Sequence, residues 1–150
     1  MIIELQTDGL SEMVRLYPQA PKIVAKELNT AIKQTIFTLL GGAREESPVD
    51  TGYLRGAAMQ TQFGFLEGVL ENIAQYAIYV HEGTKAHFPP VSAIAPWAGR
   101  HGIPPFLVAR KISEKGTEGV PFFDLAIAKT EERVDNIFEQ AMDRIIQQLS

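Results

Sequence analysis

Ser47-Pro48-Val49-Asp50-Thr51-Gly52-Tyr53-Leu54-Arg55 is the stretch on which the reading of this chain turns. Two opposed readings meet there. An Asp-Thr-Gly triplet can place a carboxylate beside a twin, so that the two share a proton and activate water. A Pro-x-Asp-x-Gly segment can equally end a helix and launch a strand. The flanks favour the turn. Upstream, Val24, Leu28, Ala31, Ile32, Thr35, Ile36, Leu39, Leu40 and Ala43 recur at helical spacing. The triplet therefore follows a helix rather than the buried apolar strand that would hold a carboxylate rigidly against its twin. Pro48 donates no backbone hydrogen bond and pushes Ser47 out of the helical region. Asp50 is expected to cap the turn with its carboxylate, and Gly52 to take a positive φ.

Working outward, the helix before the turn runs from about Pro21, a first-turn proline, to Glu46, and Gly41-Gly42 should fray or kink its end. Before it, 1–6 reads as a short strand, and Asp8 as the N-cap of a short helix through Tyr17. After the turn, Leu54 to Leu66 alternates, with Ala57, Met59, Thr61, Phe63 and Phe65 on one face. Glu67-Gly68 reads as a hairpin turn and 69–73 as the returning strand. Two strands alone are marginal in water, so a helix must cover their apolar face. The segment 75–84 fits one or two helical turns capped by Gly83, with a third strand as the alternative. Five prolines then divide 85–119 into short pieces, with helices expected over Val91–Gly102, which carries Trp97, and Phe106–Glu114. From Pro121 onward, Val134, Ile137, Phe138, Ala141, Met142, Ile145, Ile146 and Leu149 form an apolar stripe on a helix of up to ~40 Å. Two placements are open for it: beside the first helix on the sheet, or partly against another subunit.

Composition bounds the rest. The 150 residues suit one domain, 1–150, with 45% hydrophobic and 21% charged residues, as expected of a folded soluble protein. A formal charge of −4 argues against a sequence-reading nucleic-acid binder, which needs a basic face. With no cysteine there is no disulfide and no thiolate zinc site. No apolar run approaches the ~18 residues of a membrane span and no signal peptide is legible, so synthesis inside the cell is expected.

Candidate chemistry is thin. His81-Glu82, His87 and His101 lack the spacing of metal ligands on one helix. Glu45-Glu46 and Glu131-Glu132 read as solvated helix faces rather than acid/base pairs. No glycine pattern cradles phosphate, and Ser47 has no elbow motif. No catalytic residue, cofactor or metal is expected.

Three separated motifs do stand in a recognisable order. They are Ser47-Pro48-Val49-Asp50-Thr51-Gly52-Tyr53-Leu54-Arg55, then Tyr76-Ala77-x-Tyr79-Val80-His81-Glu82-Gly83-Thr84, then Pro121-Phe122-Phe123-x-x-Ala126. Over about residues 20–150 the chain resembles the minor tail-component family of tailed bacteriophages, the tail-completion or neck proteins of siphophages and prophages. That family carries Pro-x-Asp-Thr-Gly-x-Leu, Tyr-Ala-x-Tyr-Val-Glu-x-Gly-Thr and Pro-Phe-x-x-x-Ala. This chain departs at His81-Glu82, which shifts the acidic residue of the middle motif, and in 87–117, which looks like an insertion.

The resemblance implies an α+β fold: two long helices packed on a small, mostly antiparallel sheet, with the proline-rich short-helix insertion at 85–119. It implies a non-enzymatic virion protein, synthesised in the host bacterial cytoplasm, forming a ring of about six subunits at the head–tail junction. Its partners would be other connector and tail proteins. DNA would pass through without sequence-specific binding, and no membrane would be involved. Pro48, Asp50, Thr51, Gly52 and Leu54 would fix the helix-to-strand junction. Tyr76, Ala77, Val80, Glu82, Gly83 and Thr84 would fix the middle element and its exit, and Pro121 and Phe122 would pin the last helix. Phe88, Trp97 and Phe106 are candidate interface anchors, or else caps on the domain's own core. Two alternatives remain: a small dimeric aspartic hydrolase built on Asp50-Thr51-Gly52, and a prophage-encoded cytosolic adaptor.

Overall fold

The longest apolar spacings in the chain meet each other in space. In a computed structural model, which describes residues 1–6 and 20–149, helix α1 is Pro21–Glu46 and the last helix, α5, is Phe122–Leu149. The helix expected between Asp8 and Tyr17 lies outside the described residues. The two long helices run antiparallel. Glu45 and Glu46 at the end of α1 meet Lys129 near the start of α5, while Glu27 meets Arg144 and Gln148 near its end. Val24, Ala31, Ile32, Thr35, Ile36, Leu39 and Ala43 form the buried stripe of α1.

Gly41-Gly42 does not fray this helix, which runs unbroken to Glu46. A Cβ on Gly42 would stand 3.2 Å from both Ala126 Cβ and Thr130 Cγ2, so the small residue lets α5 approach closely. That packing offsets glycine's poor propensity, which costs about 1 kcal/mol against alanine. The helix end is also well closed. Ser47 donates both its N–H and its hydroxyl to the Ala43 carbonyl, and Arg55 donates to the carbonyls of Glu45 and Ser47. These bonds satisfy groups that a helix C-terminus otherwise leaves bare.

A three-stranded antiparallel sheet lies under α1, made of β1 (Ile2–Gln6), β2 (Met59–Gly64) and β3 (Glu67–Asn72) in the order β1-β3-β2. Ile3 and Thr61 flank Leu70, which is fully buried. The expected strand from Leu54 is too long. Residues 53–58 coil through turns in which Gly56 donates to Gly52 and Ala58 to Tyr53, and the ladder begins only at Met59. Leu54 is a core residue, but it enters from a turn. Of the expected buried face only Met59 is fully buried, with Thr61 half-buried. Phe63 and Phe65 are exposed, because the hairpin tip turns them outward and Phe63 leans on Phe37.

The hairpin turn is Phe65-Leu66, two residues before the expected Glu67-Gly68. Leu66 takes a φ of 56°, held there by its N–H donating to Asn29 Oδ1 at 2.8 Å and by burial of its side chain. Gly68 serves packing instead. A Cβ there would fall 2.6 Å from Ile36 Cγ1 and 2.8 Å from Ile32 Cγ2, so β3 can lie this close to α1 only without one.

Beyond the sheet, α2 (Ala77–Glu82) ends on Gly83, whose φ of 76° suits glycine. Two short strands, β4 (Gly83–Thr84) and β5 (Thr117–Glu118), pair antiparallel and form a neck. Between them projects an arm of two helices, α3 (Val91–Arg100) and α4 (Pro105–Lys115). A Cβ on Gly83 would strike the Thr117 carbonyl, and one on Gly116 the Thr84 carbonyl. The neck is therefore built from backbone against backbone. The fold is α+β, with both long helices and the sheet sharing one core.

Candidate interaction surface

All three sequence motifs converge on α2. Ala77 and Leu54 are buried in the same cluster as Phe122, which is fully buried as the pin of α5. Val120, just before Pro121, donates its N–H to the Val80 carbonyl at 2.8 Å. The Phe122 ring meets the His81 ring edge-on, with centroids 5.2 Å apart. At the neck, Thr84 and Thr117 share a hydroxyl–hydroxyl bond of 2.9 Å, and Glu82 is exposed. The first and second motifs also close a small hollow of about 270 Å³ with the arm: Pro48, Asp50, Thr51, Gly52, Tyr76, Val80 and Trp97 line it.

Asp50 does not cap its own turn. Both carboxylate oxygens bind the guanidinium of Arg100, at the end of α3, with Nε at 3.0 Å from Oδ1. A two-toothed fork is a better partner for a carboxylate than a single backbone N–H. The hydrogen bonds from Arg100 hold the Asp50 carboxyl below its ordinary range, and raise the guanidinium in turn. Gly52 takes the expected positive φ, at 85°. The triplet is thus the point where the arm is tied back to the end of α1.

The arm carries exposed aromatics. Phe88 and Phe106 are 56% and 58% exposed and lie 6.2 Å apart, so they do not cap the core. Trp97 has a divided position: it stacks on His101 at 4.3 Å and lines both the small hollow and a larger groove. That groove, of about 1510 Å³, opens between the arm and α2, with Tyr79, Ile94, Val108 and Ile112 among its apolar walls. Lys85, Lys111 and Lys115 also line it. Charge is unevenly shared along the chain. Residues 85–119 hold five cations (Lys85, Arg100, Arg110, Lys111, Lys115) against Glu114 and Glu118, a net of +3, so the remainder carries −7 of the whole chain's −4. Much of that negative charge lies on α5, where Glu132, Asp135, Glu139 and Asp143 are all exposed.

A second aromatic surface stands apart from the arm. Phe37, Phe63 and Phe65 are all exposed at the hairpin end, with the Lys33 ammonium 5.9 Å above the Phe63 ring. The hairpin is tied to Asn29 and the arm to Asp50, just past Glu46. About 25 Å of α1 therefore separates the two anchor points.

Among the described residues no group of three or more His, Asp or Glu side chains could hold a metal ion. His87 and His101 each place Nδ1 within hydrogen-bond distance of a backbone carbonyl. His81 is largely buried, with Nε2 3.7 Å from Asp124. Glu45 and Glu46 both bind Lys129. Among the described residues no helix is long and apolar enough to cross a membrane. Sequence reasoning missed Arg100, Arg55 and Asn72, which tie segments together through partners 8 to 50 residues away. Nothing local in the sequence marks such a partner. In comparisons with known proteins, no family model, no curated protein and no solved structure matches this chain.

Proposed function

We propose that this chain is a non-enzymatic structural subunit that assembles into a ring at the head–tail junction of a phage virion. The observation that carries the reading is the pair of exposed aromatic surfaces, at the hairpin and on the arm, anchored about 25 Å apart along α1. Closing a ring requires two different patches on each subunit, because the contact is head-to-tail. An isologous dimer needs only one. Exposed aromatics are also the residues that anchor interfaces most strongly.

The environment of Asp50 supports the same reading. Its carboxylate is bound on both oxygens by Arg100 and held ionised, which opposes the shared proton of a carboxylate dyad. The three family-like motifs take part in junctions: the exit of α1, the exit of α2 and the entry of α5. An acidic body suits a passage through which DNA slides without being held.

Size-exclusion chromatography with light scattering, followed by negative-stain imaging, tests the proposal. The expected result is a closed ring with a central hole. A stable dimer with peptidase activity at acid pH, lost in Asp50→Asn, would overturn it in favour of the hydrolase.

A further inference from the structure

We infer that the basic arm of one copy docks on the acidic outer face of α5 of a second copy. This deepens the ring reading and rests on it only in that copies of the chain meet. The charge imbalance is the starting point. An arm of net +3 on a remainder of net −7 makes the molecule complementary to itself, provided the two surfaces belong to different copies.

The charged side chains are also spaced to match. Lys111 and Lys115 stand one turn apart on α4, and Glu139 and Asp143 one turn apart on α5. Each pair spans a rise of ~6 Å, so two helices laid side by side can align both pairs in either direction. Glu132 and Asp135 continue the acidic stripe by two further turns. Among the described residues none of these four carboxylates has an ion-pair partner, and neither does Lys85, Lys111 or Lys115.

Apolar surface accompanies the charge on both sides. Leu107, one turn before Lys111 on the same face of α4, is more than half exposed, while Leu125 and Met142 are exposed on α5. A face that served only solvation would have no use for them, although single exposed apolar residues are ordinary. The arm can act as a fixed projection. Its neck is packed backbone against backbone, and Arg100 ties its first helix to Asp50.

Charge reversal on each side tests the inference. Lys111→Glu/Lys115→Glu makes the arm's docking helix acidic, and Glu139→Lys/Asp143→Lys reverses the charge of the 139–143 part of the α5 face, the part matched to that lysine pair. All four positions are exposed, so each variant should melt like the parent. Self-association would be followed by light scattering and sedimentation at low and high salt. Each double variant alone is expected to associate at least about tenfold more weakly than the parent. A 1:1 mixture of the two should recover association, since every arm then meets an α5 face of opposite charge. The fourfold variant should recover it too.

The outcomes separate the two proposals. Rings that persist unchanged in both double variants would overturn arm-to-α5 docking while leaving the ring reading intact. Charge-dependent association that stops at a two-fold dimer would support the docking and remove the ring. A parent protein that stays monomeric at low salt and high concentration would overturn the docking of a second copy, leaving the arm for an acidic partner protein.

Discussion

Asn72 illustrates how much a single buried polar side chain does here. It is buried, its Nδ2 donates to the Leu54 carbonyl at 2.9 Å, and its Oδ1 accepts from the Ala74 N–H at 3.0 Å. The end of β3 is thereby fastened to the turn that carries the first motif. Asn72→Ala would leave a carbonyl and an N–H unpaired away from water, so a loss of about 1–3 kcal/mol is expected in urea unfolding. Gly68→Ala should cost a similar ~1–3 kcal/mol for a different reason, since its new methyl collides with Ile32 and Ile36. Measuring both by chemical denaturation also checks the packing account of Gly68: a neutral Gly68→Ala would mean that α1 and β3 are further apart. Asp50→Asn, by contrast, touches an exposed ion pair and should be nearly silent in stability. The sequence allowed none of this for Gly68 or Asn72. A Gly after Glu between two strand-like runs reads as a turn, and the φ at Leu66 that displaced the turn depends on Asn29, 37 residues away.

The elements themselves were far more legible than their ends. The span of α1 follows from its apolar spacing and its flanking prolines, both local signals, and so do the two arm helices. What failed was the alternation from Leu54 to Met59. A period of two in side chains does not reveal that Gly52 and Gly56 coil the backbone before the ladder starts. The placement of α5 beside α1 is one of the two that its apolar stripe allowed, and the fold takes it, although the side-chain bonds that lock it, from Arg144 and Gln148 to Glu27, join residues more than a hundred apart and leave no local signal. One of those contacts gives a pH prediction. Hydrogen bonds from Arg144 and then Gln148 hold Glu27 below its ordinary value of 4.5 in the folded state. A group with a depressed folded value contributes stability that is present above its unfolded value and lost as pH falls through the folded one. The melting temperature of the parent should therefore exceed that of Glu27→Gln by a constant margin from pH 8 to about pH 5.5. The margin should shrink below the ordinary value of 4.5. A margin that grew on acidification would show that the pair with Arg144 does not form.

At the scale of the whole molecule, the body and the arm have different jobs. The body encloses the core between α1, α5 and the sheet, whereas the arm buries only Pro89, Ala98 and Ala109. An arm with so little interior cannot be stabilised by its own apolar burial, and the pairing at the neck holds it instead, with the exposed Asp50–Arg100 pair orienting its first helix at little gain in stability. Its aromatics must then be judged by what they cover. Phe88 and Phe106 cover little, and truncating them should change folding stability by no more than about 0.5 kcal/mol. Trp97 lines the hollow beside Asp50 and Tyr76, so Trp97→Ala should lower the melting temperature. For assembly the order reverses. If the arm works as a docking surface, Phe88→Ser/Phe106→Ser should leave thermal unfolding intact while weakening the large species in light scattering. The same experiment has an informative opposite: a double variant that melts early but assembles normally once folded would move both rings from the interface to the core. The contrast depends on measuring folding and assembly on the same samples, because Phe88 and Phe106 are expected to move assembly without moving folding.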